Sequence, residues 1–295
     1  MLSDPEIMGM LMTGVGITLR LFAGPLADDL RSVVTEEQLR LHCQPIVDMQ
    51  TMEIAGFEAL VRWQHPRLGL LYPERFISLA AETGAIEPMT RWVLKEACRG
   101  LADWIQREDG SPDWFVSVNV EAQQLMDAAT VVQDVSDALD TAGLAPNNVK
   151  LELAERARFD PAAVRPALDQ LRGMGVSVVL DDFGTGFASL YCLKELPLDG
   201  VKLDRLFLRD VPACRRDVKM LRTIVKGMHE VGLGVTVEGV ETAAQAAVVQ
   251  ELACFGQGFY FSRPQAAEEM RNFLSAWAEG RAAESRRGFG WAGAR

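Results

Sequence analysis

Histidine is scarce in this chain. His42, His65 and His229 are the only three in 295 residues, and they are too dispersed for an imidazole-rich metal site. The five cysteines (Cys43, Cys98, Cys192, Cys214 and Cys254) are odd in number and show no CxxC spacing. That pattern argues against a disulfide framework or a thiolate zinc centre and predicts a reducing, cytoplasmic setting. Any bound metal should then be a hard ion held by oxygen. Positive charge is also short, with 30 Lys and Arg against 41 Asp and Glu, a net charge of -11. General nucleic-acid binding needs a basic face, so the balance argues against it. An anionic substrate would need cations at its site.

Long apolar runs are missing as well. A bilayer span needs roughly 20 residues, and the stretch from Met8 to Leu19 offers about 12. Asp4 and Glu6 stand where a signal peptide would carry positive charge. Residues 1–25 are therefore read as an N-terminal arm, packed or disordered, with an interfacial role left open and no transmembrane helix. Residues 279–295 are rich in Gly, Ala and Arg and read as a flexible tail.

What is present between them, residues 26–278, is enough for one large core: 48% of the chain is hydrophobic and 24% charged. An α/β barrel of roughly 250 residues fits that length. Short β-like runs near 38–46, 53–63, 114–120, 149–154, 176–181, 199–204, 233–238 and 254–260 alternate with helical patterns. Ile86, Met89, Val93, Ala97, Leu101 and Trp104 recur at helical spacing, as do Val218, Leu221, Val225, Met228 and Val231. Both stripes read as packing against the sheet. The link between the first two strands, VDMQTMEI, is shorter than the dozen residues of a parallel crossover. Those two strands should therefore run antiparallel within an otherwise parallel barrel.

The period of two along a strand then sorts the polar residues. Glu58 and Arg62 share one face of GFEALVRW, while Phe57, Ala59, Val61 and Trp63 share the other. Asn119 opposes Val116 and Val118, Glu152 is flanked by Leu151 and Leu153, and Lys202 and Asp204 oppose Val201 and Leu203. With the apolar faces turned to the helices, these charges point into the barrel, where they are costly unless paired or metal-bound. Any one could be a buried ion pair; the same inversion on so many strands points to a site. DDFGTG puts Asp181 and Asp182 at a strand end, before a loop with Gly184 and Gly186. VEGVE adds Glu238 and Glu241, and QGFYF adds Gln257. An acid at a helix N-terminus is the plain alternative for Glu241, and a simple Asp-Gly turn the alternative for DDFGTG. Glu58, Asn119, Glu152, Asp181, Asp182 and Glu238 form an oxygen-donor set for hard ions. Lys202 could anchor a water or a phosphate oxygen, and Arg62 offers a bidentate phosphate fork. That combination suits phosphoryl chemistry better than glycoside hydrolysis, which needs only two carboxylates.

The ordered series QPIVDM, FEALVRW, YPERFISLAAETG, SVNV, LELAE, DDFGTGFASL, LPLDGVKLD, VEGVE and QGFYFSRP resembles the EAL domain family, phosphodiesterases of cyclic di-GMP. The resemblance runs from about Asp28 to Ala276 and implies a modified TIM-type (β/α)8 barrel with the first strand antiparallel. It implies metal ligation by Glu58, Asn119, Glu152 and Asp181, with Asp182 and Glu238 completing the shell of a second ion. Lys202 would contact the attacking water, and Glu241 and Gln257 would support the site. Gln44 and Arg62 match substrate-contacting positions, Asp204 a further active-site acid, and Glu155 the glutamate that steadies the DDFGTGFASL loop. The implied reaction is hydrolysis of cyclic di-GMP to linear pGpG with two Mg²⁺ or Mn²⁺ ions, Ca²⁺ being inhibitory, and the family suggests a homodimer. Two departures adjoin ligands: ELAER places Ala154 and Arg156 where the family commonly reads ELTES, and NVEA places Glu121 where it often reads NVSA. No GGDEF, PAS or receiver motif is recognisable, so sensory input is expected to be absent, on another chain, or supplied by the N-terminal arm. Two other readings remain: a receptor that binds cyclic di-GMP without cleaving it, and a scaffold with no nucleotide role. The scaffold leaves the inward polar positions unexplained.

Overall fold

A computed structural model describes residues 38–107, 110–154, 159–185 and 189–287, together with Leu26, Asp29 and Leu30. Of the last of these, 281–287, the backbone alone is described. The arm at 1–25 lies outside the described residues, as do Glu155, Arg156 and Gly186.

The chain divides into two compact units. One comprises residues up to Arg40 together with Val61–Met89; the other comprises Leu41–Leu60 and everything from Thr90 onward.

The larger unit holds the barrel. Its strands are β1 (Leu39–Asp48), β2 (Glu53–His65), β4 (Phe115–Val120), β5 (Val149–Ala154), β6 (Ser177–Phe183), β7 (Gly200–Leu203), β8 (Gly234–Val237) and β9 (Phe255–Gln257). Their order is β1-β9-β8-β7-β6-β5-β4-β2, and β1 pairs back onto β2, which closes eight strands into a ring. Pairings from β2 through β9 are parallel. β1 runs antiparallel to β9, with Ile46 opposite Gln257. The expected modified barrel with its antiparallel first strand is therefore present. The short β1–β2 link closes as a tight turn in which the Asp48 carboxylate accepts the Gln50 N–H at 2.7 Å.

Alternation places the layers as the residue pattern requires. Phe57, on the outer face of β2, meets Trp104 at 4.8 Å and Trp114 at 5.5 Å, both edge-on. Val93, Ala97, Leu101 and Trp104 of the helix Ile86–Ile105 are buried, as are Leu221, Val225 and Met228 of the helix Arg215–Glu230. Val231 departs from the expected stripe. The helix ends one residue earlier, where backbone N–H groups turn back onto Met228 and His229, and Val231 is 70% exposed.

Two further differences are local. β9 stops at Gln257 rather than running to Tyr260, because Gly258 passes against Val240: a Cβ at 258 would lie 2.2 Å from the Val240 carbonyl. The Tyr260 N–H then donates to that carbonyl at 2.9 Å, which turns the chain out of the sheet. A two-residue strand β10 (Gln265–Ala266), too short to show a period, pairs antiparallel with β1 at His42 and Cys43, ahead of the stretch that meets β9. The helix Met270–Arg287 runs past residue 279, where a flexible tail was expected to begin.

The smaller unit contains the end of β2, the short strand β3 (Gly69–Leu71) and the helix Ile77–Thr83. β2 and β3 pair antiparallel, with Trp63 opposite Leu71. Trp63 packs edge-on against Phe76, and its indole N–H donates to Gln38 at 3.2 Å. The buried His65 uses both ring nitrogens. Its Nδ1 accepts the Arg67 and Leu68 N–H groups at 3.1 and 3.2 Å, so Nε2 carries the proton that is shared with Asp29 at 3.0 Å. Among the described residues, no helix is long and apolar enough to cross a membrane.

Candidate metal centre

Lys202, on the inner face of β7, is 1% exposed and has four acidic neighbours. Its Nζ lies 2.7 Å from Glu238, 2.9 Å from Glu152, 3.2 Å from Glu58 and 3.4 Å from Asp181. The parallel register explains the convergence, because it lines up inner-face positions of successive strands: Asn119 pairs with Glu152, and Ala154 with Asp181. The Asn119 amide donates to Glu58 at 3.1 Å. Gln257 donates to Glu58 at 2.6 Å and to Gln44 at 3.1 Å, and Gln44 donates in turn to the Ser262 carbonyl at 2.9 Å. Ser262 enters through its backbone, and no side-chain pattern marks it in the sequence.

Asp182 reaches the same place by a different device. Successive residues of a regular strand face opposite ways, so Asp181 and Asp182 could not both look inward. The β6–β7 register slips between Leu180 and Phe183, and Asp182 adopts φ 56°. Such a bulge rotates the following side chain, and a left-handed non-glycine residue is a strain found at functional sites. Ligand atoms of Asp181, Asp182 and Glu238 consequently lie within 4.8 Å of one another. The Phe207 ring packs where a Cβ at Gly184 would come within 2.5 Å of it, so the turn after this pair needs a glycine.

Electrostatics make the cluster cation-seeking. Burial pushes the Glu238 carboxyl up to about 8, with the charges of Asp181 and Glu58 adding to that and Lys202 opposing it. Burial likewise raises Glu152 well above the carboxylate range. Burial acts the same way on Glu58, but Lys202 and the hydrogen bonds from Gln257 and Asn119 outweigh it and hold Glu58 low. Burial opposes the Lys202 charge too; the surrounding acids outweigh that and hold the ammonium firmly protonated. One lysine against five carboxylates leaves negative charge unanswered. Among the described residues, the buried Gln257 Oε1 has no hydrogen-bond partner, and Asp181 Oδ1 has none beyond its 3.4 Å ion pair with Lys202. An all-oxygen set with spare lone pairs is the donor chemistry that Mg²⁺ or Mn²⁺ takes, so the residues present fit such ions.

Not every expected residue joins this cluster. Asp204 is buried, but its carboxylate accepts the Leu206 N–H at 2.8 Å and caps the turn Arg205–Leu208. Glu241 is exposed just before the helix Ala243–Gln250, and its N–H donates to Gln245 at 2.9 Å. Glu121 opens the turn Ala122–Leu125, where Gln124 accepts its N–H at 3.0 Å, and burial raises its carboxyl. Arg62 belongs to the smaller unit: it is 4% exposed, and its guanidinium carbon lies 4.8 Å from the centre of the Tyr72 ring.

A mixed barrel with carboxylates gathered around one lysine at its strand ends is the class that fold and site define. The model of the EAL domain matches residues 27–264, and the chain belongs to that family. It is 41% identical over 254 residues to the cyclic di-GMP phosphodiesterase NbdA of Pseudomonas aeruginosa, covering 85% of this chain and 32% of that one. To the bifunctional diguanylate cyclase/cyclic di-GMP phosphodiesterase MucR of the same species it is 40% identical over 247 residues, covering 83% and 36%. The chain thus spans about a third of the length of these curated relatives. Among solved structures, the PaMucR phosphodiesterase in complex with c-di-GMP superposes with a TM-score of 0.74 at 40% identity, covering 83% of this chain and 99% of that one. The EAL enzyme Bd1971, in its cAMP- and cyclic-di-GMP-bound form, gives a TM-score of 0.79 at 29% identity, covering 92% and 74%.

Proposed function

We propose that the chain hydrolyses cyclic di-GMP to linear pGpG and uses two divalent cations, Mg²⁺ or Mn²⁺. The observation that carries this reading is the convergence of Glu58, Glu152, Asp181 and Glu238 on Lys202, with Asp182 swung in beside them. Glu58, Asn119, Glu152 and Asp181 would hold one cation, and Asp182 and Glu238 would complete the shell of the other. Bound cations would supply Lewis-acid activation of water and stabilisation of the leaving oxygen.

The chain's own groups do the rest. Lys202 holds four acids in one constellation and offers ammonium protons to a water or phosphate oxygen. Gln257 orients Glu58, and Gln44, itself held by Ser262, orients Gln257. Arg62 supplies a planar fork for a phosphate. Asp204, which caps the turn Arg205–Leu208, and the exposed Glu241 lie outside the Lys202 cluster and take no ligand role, and Glu155 would steady the loop after β6. Exposed Leu190 and Tyr191 on the helix Ser189–Glu195 support a homodimer. The five free cysteines, four of them buried, suit a reducing cytoplasm.

The test is incubation of the pure protein with cyclic di-GMP and Mg²⁺, Mn²⁺ or Ca²⁺. Formation of pGpG with the first two but not the third is expected, and Glu58→Ala should abolish it. Tight binding with no product under either activating ion would replace this reading with that of a receptor.

A further inference from the structure

Tyr72 is a tyrosine in an unusual place. It follows β3 and precedes Pro73, is 53% exposed, and lies against the guanidinium of Arg62, a residue that is 4% exposed. An exposed aromatic ring is normally left free by its neighbours, yet this one covers Arg62. The guanidinium carbon stands 4.8 Å from the ring centre, within cation–π range, and Nη1 donates to the Val61 carbonyl at 2.9 Å. Both contacts, of different kinds, bear on the plane of the fork. Arginine recognises a phosphate through a planar pair of parallel hydrogen bonds, so its orientation decides how well it binds. An arginine carries about 2 kcal/mol of rotamer entropy, and a fork already held in place has less of it to lose on binding.

We infer that Tyr72 is a positioning residue for cyclic di-GMP recognition: its ring holds the Arg62 guanidinium in the orientation that meets a phosphate of the nucleotide. The inference rests on the phosphodiesterase reading and on the assignment of Arg62 to substrate. Tyr72 acts through Arg62, so its effect falls on binding and leaves the chemistry of the barrel alone.

The experiment compares Tyr72→Leu, Tyr72→Phe, Arg62→Ala and the Tyr72→Leu/Arg62→Ala double variant. KM and kcat are read with Mg²⁺, cyclic di-GMP affinity with Ca²⁺, and Tm for each protein. Tyr72→Leu should raise KM and Kd roughly three- to tenfold with kcat and Tm near wild type. Tyr72→Phe, which keeps the ring, should bind as wild type does. In the Arg62→Ala background Tyr72→Leu should add no further loss. An effect of Arg62→Ala with none of Tyr72→Leu overturns the inference alone. A further loss in the double variant also overturns it, because Tyr72 would then act independently. No effect of Arg62→Ala removes the substrate role of Arg62 and this inference with it, and wild-type protein that fails to bind the nucleotide sinks the phosphodiesterase reading itself.

Discussion

Lys202 Nζ stands 2.7 Å from Glu238 Oε1 while also meeting acids from β2, β5 and β6. The lysine is thus the countercharge on which the cluster depends when no cation is bound. Removing one partner of a buried ionic group costs about 3–5 kcal/mol, because the others are left uncompensated. Lys202→Met should therefore melt well below wild type in chelator, by about 6–20 °C. Mg²⁺ or Mn²⁺ should restore part of the difference, since added cations answer the same charges. Turnover should fall at least about a hundredfold. Thermal melts with and without cation check the first point, and a variant that matches wild type in chelator would refute it.

The raised carboxyls give the metal-free protein a distinctive pH dependence. Burial puts Glu238 at about 8 in the folded chain, against an ordinary 4.5, and raises Glu152 in the same direction. Between those two values the folded state holds protons that the unfolded state has released, so stability must fall as pH rises from about 4.5 to about 8. Glu58, held low, has the opposite sign: its contribution is present above its ordinary value and is lost as pH falls below it. Tm in chelator should therefore decline across pH 5 to 8, and the rise in Tm on adding Mn²⁺ should grow over the same interval, since ligands bind metal deprotonated. A flat Tm in chelator would contradict the assignment of buried, protonated acids.

Much of this was legible in the sequence because strand alternation is a local rule. Glu58, Glu152 and Lys202 each stand between apolar neighbours, and the short VDMQTMEI link is enough to reverse β1. Asp182 was harder. Alternation alone sends it outward, and the slip and positive φ that bring it back depend on how β6 meets β7. The overlong reading of β9 failed for a similar reason: FYF is made of residues that favour strands, but the chain leaves the sheet where Gly258 meets Val240, which is distant in sequence. The one helical residue too many, Val231, arose because periodicity does not see a helix end closing on its own carbonyls.

Lys150 lies two residues before Glu152, yet its environment differs from that of the site. Its Nζ sits 3.5 Å from the Phe115 ring centre and 5.1 Å from that of Phe255, and it makes no ion pair among the described residues. Burial pushes its ammonium down to about 8, against the pull of Glu152 and Asp199. The folded chain releases this proton before the unfolded chain does, so wild-type stability should gain from this group as pH rises from about 8 to 10.5. Lys150→Met keeps the contact with both rings and removes the desolvated charge. At pH 7 it should be more stable by about 1 kcal/mol, or 2–4 °C in Tm. The gap should close toward pH 10. Equal melting at pH 7 would show that the two rings already compensate the buried charge.

Asp182 separates backbone strain from ligation. Its φ of 56° costs a residue with a Cβ about 1 kcal/mol that glycine does not incur. Asp182→Gly and Asp182→Ala both remove the carboxylate, so their difference reports the backbone alone. The glycine variant should melt about 2–4 °C above the alanine variant in chelator. Both should lose much of the stabilisation by Mn²⁺ and most of the turnover, because one of three carboxylates within 4.8 Å is gone. Equal melting of the two variants would mean that the bulge relaxes on substitution and stores no strain. An undiminished Mn²⁺ shift would remove Asp182 from the metal site, and the positive φ would then need a structural cause in the β6–β7 pairing.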